Sequence, residues 1–192
     1  MDTDKNLQRR QMNSKKKIVF ITGGAKSGKS SFALKEASGA AGEKAYIATA
    51  EALDEEMRER IQTHKRQRGK EWDTYEEPIK IGDLMMEIGD KYDVIVLDCL
   101  TLWVSNLMGT GLKITDAFND LRKVLQDIDN AGGRHCLAPA IYIVSNEVGM
   151  GIVPENEMAR KFRDMAGVLN QQIAEVAHEV YMVVAGIPIR VK

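Results

Sequence analysis

The sequence predicts an α/β protein: one domain built on a mainly parallel β-sheet with helices on both faces. Three observations predict it. Short apolar runs rich in Val and Ile, among them Ile18–Ile21, Asp93–Asp98 and Ala140–Val144, read as strands buried on both sides, which only a covered parallel sheet provides. Helix-length amphipathic segments alternate with these runs. A glycine pair, Gly23-Gly24, follows the first run after Thr22, where a strand turns into a helix. Right-handed crossovers gather the strand-to-helix loops on the carboxyl edge of such a sheet, so that edge is where chemistry is expected.

Residues 1–16 are polar, with few large apolar side chains, and are expected to form a disordered tail preceding a domain over 17–192. After the strand at Ile18–Ile21, the Ala-, Ser-, Lys- and Glu-rich stretch Ser30–Ala41 reads as a helix ended by Gly42. Ala45–Thr49 is a second strand. Leu53 to about Arg68 is a strongly charged helix, acidic at its start and basic at its end, which complements the helix dipole. Lys70–Glu77 reads as a short extended segment before Pro78, and Ile79–Ile88 as a helix. The strand Asp93–Asp98 is followed by helices over 100–108 and 114–130, then by the strand Ala140–Val144. A long amphipathic helix over 154–178, opened near Pro154, leads to strands at Tyr181–Val184 and Ile187–Val191.

With 192 residues the chain fits one compact domain. It is 44% apolar and 29% charged, typical of a water-soluble protein, and its formal charge is −1. Six basic side chains fall within residues 1–17, so the remainder is net acidic. That balance excludes nucleic-acid binding through bulk charge and argues against nucleic-acid partners. Two cysteines, Cys99 and Cys136, stand far apart and outside any C-x-x-C pattern, which excludes a disulfide scaffold or a cysteine zinc site. No apolar run approaches the roughly 18 residues of a membrane-spanning helix, and no apolar secretory stretch opens the sequence. A cytoplasmic location is expected.

Gly23-Gly24-Ala25-Lys26-Ser27-Gly28-Lys29-Ser30 matches G-x-x-x-x-G-K-[ST] in full and stands between a strand and a helix, the context a phosphate-binding loop requires. Its glycines let backbone N–H groups turn towards a phosphate, and the next helix offers its unpaired N–H groups to the same anion. Lys29 is expected to reach the β- and γ-phosphates of a nucleoside triphosphate and Ser30 to ligate Mg²⁺. Asp98, at the end of a strand, is the candidate second metal group, directly or through water. Its other reading is a cap for the helix that begins at Leu100.

His64 lies within Arg60–Arg68. At helical spacing Arg60, His64 and Arg68 share one face, and Met57 and Ile61 mark an adjacent apolar stripe. Two flanking guanidiniums would lower the imidazole pKa and favour its neutral, nucleophilic form. Read from this spacing alone, the alternative is a surface histidine. His135 and His178 have no such setting.

Together these segments resemble a known family. The loop Gly23–Ser30, the run Tyr46-Ile47-Ala48-Thr49-Ala50, and Asp54-Glu55-Glu56-Met57 with Arg60-Ile61 and His64-Lys65 are similar to the bifunctional adenosylcobinamide kinase/adenosylcobinamide-phosphate guanylyltransferases of cobalamin biosynthesis. So are Asn146–Pro154, Ala159-Arg160, Phe162-Arg163-Asp164 and Asn170-Gln171. The resemblance runs from about Lys17 to the last residue and implies a P-loop, RecA-like fold.

It also implies two reactions: phosphorylation of adenosylcobinamide by ATP or GTP, then transfer of GMP from GTP to adenosylcobinamide phosphate through a GMP–histidine intermediate. His64 is the residue that matches the nucleophile. Nucleotide contacts carry over onto Gly23, Gly24, Ala25, Lys26, Ser27, Gly28, Lys29 and Ser30, and onto Thr49, Ala50 and Glu51. They fall also on Lys65, Arg66, Gln67, Arg68, Glu76 and Asp98. Mg²⁺ is the implied cofactor, Ser30 and Asp98 its ligands, and a homo-oligomer, by analogy a trimer, the implied assembly. This chain has Thr63 where members can carry a second histidine, and Asp98 where glutamate also occurs.

Asn146–Pro154, with two glycines around Met150, is expected to be a mobile loop that closes over the corrinoid or packs at a subunit contact; a plain structural turn is its other reading. Arg160 and Arg163 are candidates for phosphate or for solvation. A signalling GTPase is disfavoured because Ser145-Asn146-Glu147-Val148 lacks the N-K-x-D guanine motif, and a recombinase-like assembly ATPase because the body is acidic.

Overall fold

The computed structural model describes residues 17–52, 54–130 and 139–192, without the side chains of Glu56, Arg60, His64 and Gln67. The predicted tail 1–16, and His135 and Cys136, lie outside the described residues. Seven strands form one sheet: β1 (Ile18–Gly23), β2 (Lys44–Ala48), β3 (Trp72–Glu76), β4 (Val94–Asp98), β5 (Ala140–Val144), β6 (Glu179–Val184) and β7 (Ile187–Arg190), in the order β3-β2-β4-β5-β1-β6-β7. All pairings are parallel except β6 with β7, so the expected mainly parallel α/β sheet is what forms.

Among the described residues six helices accompany them: α1 (Lys29–Ser38), α2 (Glu55–Gln67), α3 (Ile81–Ile88), α4 (Leu100–Met108), α5 (Ile114–Asn130) and α6 (Glu157–Val176). The side-chain alternation of the central strands sorts the core into two layers. Ile18, Phe20, Ile47, Ile95, Leu97, Ile141 and Ile143 face α3, α4, α5 and α6. There they meet Met85, Leu100, Trp103, Phe118, Leu121 and Leu169, all buried. Each fully buried Ile or Leu of this layer contributes about 1.5–3 kcal/mol. Val19, Ile21, Tyr46, Ala48, Val96, Tyr142 and Val144 face the other way, onto Ala33 and Ala37 of α1. Those two alanines let the helix that carries the glycine loop lie close against the sheet.

Several predicted boundaries differ by a few residues. The long helix begins at Glu157 rather than 154, because Asn156 takes the cap position and its Oδ1 accepts from Ala159 N at 3.1 Å. The first helix ends at Ser38, three residues before Ala41. The extended segment at 70–77 is a true edge strand, β3, whose Trp72–Glu76 pair with Lys44–Ala48. The β6–β7 turn, Ala185-Gly186, has positive φ at both residues (50° and 82°), the geometry a tight hairpin demands.

Register brings the strand ends together. Ala48 pairs with both Glu76 and Asp98, Asp98 with Val144, and Ile21 with Val144. The loops after β1, β2, β3, β4 and β5 therefore leave from one edge. No helix among the described residues is long and apolar enough to cross a membrane.

Candidate active site

The glycine loop closes on itself at that edge. Ser27 N donates to Gly24 O at 3.2 Å, and Lys29 Nζ reaches back to Gly24 O at 2.6 Å, with Lys29 only 6% exposed. Gly28, at φ 97°, precedes α1 and no side chain caps the helix, which leaves the first-turn N–H groups available to an anion. The Ser27 hydroxyl is buried with no hydrogen-bond partner among the described residues, as suits a cradle shaped for an oxygen-rich guest. The β6–β7 hairpin props the loop from behind. Gly186 N donates to Ser27 O at 2.8 Å, and a Cβ on Gly23 would stand 2.3 Å from Val183 O.

Asp98 ends β4 beside this loop. Tyr46 Oη donates to its Oδ2 at 2.6 Å, and the Tyr46 ring lies under the Arg68 guanidinium, 3.8 Å from Cζ to centroid. Arg68 is 5% exposed and hydrogen-bonds Thr74 Oγ1 at 3.4 Å. α2 ends at Gln67, and Arg68 takes the cap position with its side chain buried over the Tyr46 ring. Burial lowers the Arg68 pKa, opposed by Tyr46, Asp98 and Glu76. Burial, the Asp98 charge and the hydrogen bond to Asp98 together push the Tyr46 phenol well above its ordinary value.

The Asp98–Cys99 peptide is cis. Thr49 Oγ1 donates to Cys99 O at 2.7 Å and accepts from Cys99 N at 2.8 Å, and Thr49 is wholly buried. Its hydroxyl therefore fixes the segment behind Asp98 and does not face the cleft. Asn106 Nδ2 donates to Thr49 O at 2.8 Å and to Pro78 O at 3.1 Å, tying the loops after β2 and β3 to α4. The Cys99 thiol is pushed up to about 11, chiefly by burial and then by Asp98, so it stays protonated at neutral pH.

Ser30, Tyr46, Ala48, Ala50, Arg68, Asp98 and Cys99 line one cleft of about 480 Å³, part of it open to solvent. Met57 and Ile61 of α2 line it too, so the helix bearing His64 packs along this cleft. Lys65 and Glu76 form an ion pair, both about half exposed, and Glu51, next to the lining residue Ala50, is exposed. Among the described residues no group of three or more His, Cys, Asp or Glu could hold a metal ion. One hydroxyl and one carboxylate facing a phosphate cradle nonetheless suit Mg²⁺, which prefers few protein oxygens with water and phosphate completing its shell.

The loop from Asn146 is rooted in the same edge. Glu147 N donates to Gly23 O at 2.9 Å, and Asn170 Nδ2 to Asn146 O at 3.2 Å. Beyond this root Met150, Ile152 and Val153 stand in solvent, Ile152 at 97% exposure. Arg160 donates to the carbonyls of Pro154 and Glu155, which holds the entry to α6, and Arg163 pairs with Asp164. Sequence reasoning missed the contacts of Tyr46 and Thr101 and, although it read strands at 181–184 and 187–191, the support their hairpin gives the glycine loop. Tyr46 had one readable signal: a phenol two residues before the end of a strand, on the same face as that end.

A glycine loop between β1 and α1, a strand-end carboxylate and a parallel sheet define a P-loop nucleotide-binding protein with a RecA-like fold. Solved structures agree on the fold. The flagellar accessory protein FlaH from Methanocaldococcus jannaschii superposes with a TM-score of 0.51 at 14% identity, covering 97% of this chain and 84% of that one. The RadB recombinase gives 0.51 at 13% identity, covering 88% and 75%. The family profile described as cobinamide kinase / cobinamide phosphate guanyltransferase matches residues 19–191. The chain belongs to this family of transferases. It is 39% identical over 183 residues to the bifunctional adenosylcobalamin biosynthesis protein CobU of Escherichia coli (strain K12), covering 91% of this chain and 99% of that protein. The protein of the same description from Salmonella typhimurium is 41% identical over 182 residues, covering 91% and 99%. CobP of Pseudomonas aeruginosa is 38% identical over 177 residues, covering 90% and 96%.

Proposed function

We propose that the protein phosphorylates the hydroxyl of adenosylcobinamide with ATP or GTP, then transfers GMP from GTP to the resulting phosphate through a GMP–His64 intermediate. The single observation that carries this reading is the cleft itself: Ser30 and Asp98 share it with Met57 and Ile61 of the helix on which His64 stands.

The loop Gly23–Ser30 binds the triphosphate through backbone N–H groups and Lys29. Ser30 and Asp98 hold Mg²⁺, which offsets phosphate charge when bound. Ala50, Glu51, Lys65, Arg66, Gln67, Arg68 and Glu76 form the rest of the nucleotide contacts, while Thr49 acts through its clamp on Cys99.

In the second reaction the neutral imidazole nitrogen of His64 forms a bond to the α-phosphorus of GTP as the bond to the β-phosphate bridging oxygen breaks, releasing pyrophosphate. A phosphate oxygen of adenosylcobinamide phosphate then attacks that phosphorus. The P–N bond breaks, its electron pair returns to the imidazole, and adenosylcobinamide-GDP leaves. Dividing one displacement between two anions into two steps is the gain from a covalent intermediate. The exposed apolar loop around Met150 closes over the corrinoid or meets a neighbouring subunit of a homo-oligomer.

The test is incubation with α-labelled GTP and Mg²⁺. Acid-labile, base-stable label should remain on the protein and vanish in His64→Ala. Label that persists in that variant overturns the assignment.

A further inference from the structure

We propose that Tyr46 is a positioning residue for Asp98, setting the carboxylate for the metal side of the nucleotide site. This rests on the reading of Asp98 as a Mg²⁺ group.

Register explains how the two meet. Tyr46 pairs with Val96 and Ala48 with Asp98, so Tyr46 and Asp98 stand on one face of adjacent strands, diagonal to each other. At 2.6 Å the phenol O–H, a donor beside a charged acceptor, fixes Oδ2 of a carboxylate that lines the same cleft as Ser30. The phenol itself is buried and packed on both sides. Tyr46 is 2% exposed, its ring stands edge-on to Trp72 at 6.3 Å, and its face carries Arg68. A partner outside the ligand sphere that orients a ligand in this way is commonly worth roughly tenfold or more in metal affinity. Arg68 stacks on the ring, which Tyr46→Phe keeps, so the ring and the hydroxyl can be tested separately.

The experiment measures Mn²⁺ binding by electron paramagnetic resonance in the presence of a non-hydrolysable GTP analogue, for wild type, Tyr46→Phe, Asp98→Asn and the double variant. Thermal midpoints without nucleotide or metal report structural cost separately. Tyr46→Phe keeps the ring and the Arg68 stack and should weaken Mn²⁺ binding about tenfold, the loss typical of a broken outer-shell contact. In the Asp98→Asn background the same change should add nothing, because its target is gone. Replacing Tyr46 by 4-aminophenylalanine, which still donates, should restore binding; this variant carries the test if Tyr46→Phe does not fold. Unchanged or tighter Mn²⁺ binding in Tyr46→Phe, an equal loss in both backgrounds, or no recovery with the amine overturns the proposal. Asp98→Asn binding Mn²⁺ as wild type does would instead overturn the metal reading of Asp98 on which it rests.

Discussion

Thr101 and Asn146 join the first turn of α4 to the loop after β5: Thr101 Oγ1 accepts from Asn146 N at 2.8 Å and from Asn146 Nδ2 at 2.9 Å. Thr101 is buried, so Thr101→Val leaves a backbone donor without its partner. The expected cost is about 1–3 kcal/mol, read as a lower urea midpoint with unchanged slope. The Asn146–Pro154 loop should at the same time become a faster site of proteolytic cleavage.

Lys29 sits folded within the glycine loop, and both proposed reactions draw on that loop. Lys29→Ala should therefore lower kcat/KM of phosphorylation and of guanylyl transfer alike, each by about 100-fold or more. Steady-state assays of the two reactions check this. Full retention of kinase activity would mean that the triphosphates use separate sites.

Gly23 combines a φ of 149° with a Cβ position 2.3 Å from the Val183 carbonyl oxygen. Backbone cannot swing aside as a side chain can, so Gly23→Ala must shift the loop or the hairpin. We expect a loss of about 1–3 kcal/mol in stability together with weaker nucleotide binding, measured by thermal unfolding and by calorimetric titration with GTP.

Glu76 and Lys65 are too exposed for their ion pair to hold the fold. Glu76→Gln should change stability by less than about 1 kcal/mol. If the carboxylate accepts from the ribose or the guanine, GTP affinity should fall roughly tenfold in the same variant. Calorimetry alongside a melting curve separates the two effects.

Cys99 gives a pH dependence with a definite sign. Folding raises its pKa from 9.0 to about 11. Below pH 9 the thiol is protonated in both states and its contribution is fully present. Between 9 and 11 only the unfolded chain ionises, so stability falls as pH rises, by about 2 kcal/mol over the window. Denaturant titrations from pH 8 to 10.5 should show a shallower decline in Cys99→Ala.

Much of this architecture was legible beforehand, because strands such as Val94–Asp98 are apolar without interruption and the glycine loop has a fixed spacing. The two helices at about 100–108 and 114–130 were readable, since Gly109 and Gly111 interrupt the pattern between them. In the candidate site, the placing of Lys29, Ser30 and Asp98 was legible, because a glycine-loop spacing and a strand end fix where they fall. The site was not legible where function comes from pairing across strands. Nothing in the spacing of Tyr46 or Arg68 foretells that one will stack on the other, because that contact depends on sheet order and on α2 ending one residue early. Thr49 is the converse: its position on the correct edge was readable, but its hydroxyl turns inward because Cys99 offers it both a donor and an acceptor.

The hairpin behind the glycine loop also bears on how the protein is made. Residues 183–186 hold Gly23 and Ser27 in place, yet almost the whole domain separates them in the order of translation. A nascent polypeptide thus carries its anion-binding segment from the outset but lacks the brace that shapes it. A P-loop shaped by that brace should therefore be complete only after synthesis has reached the final strands.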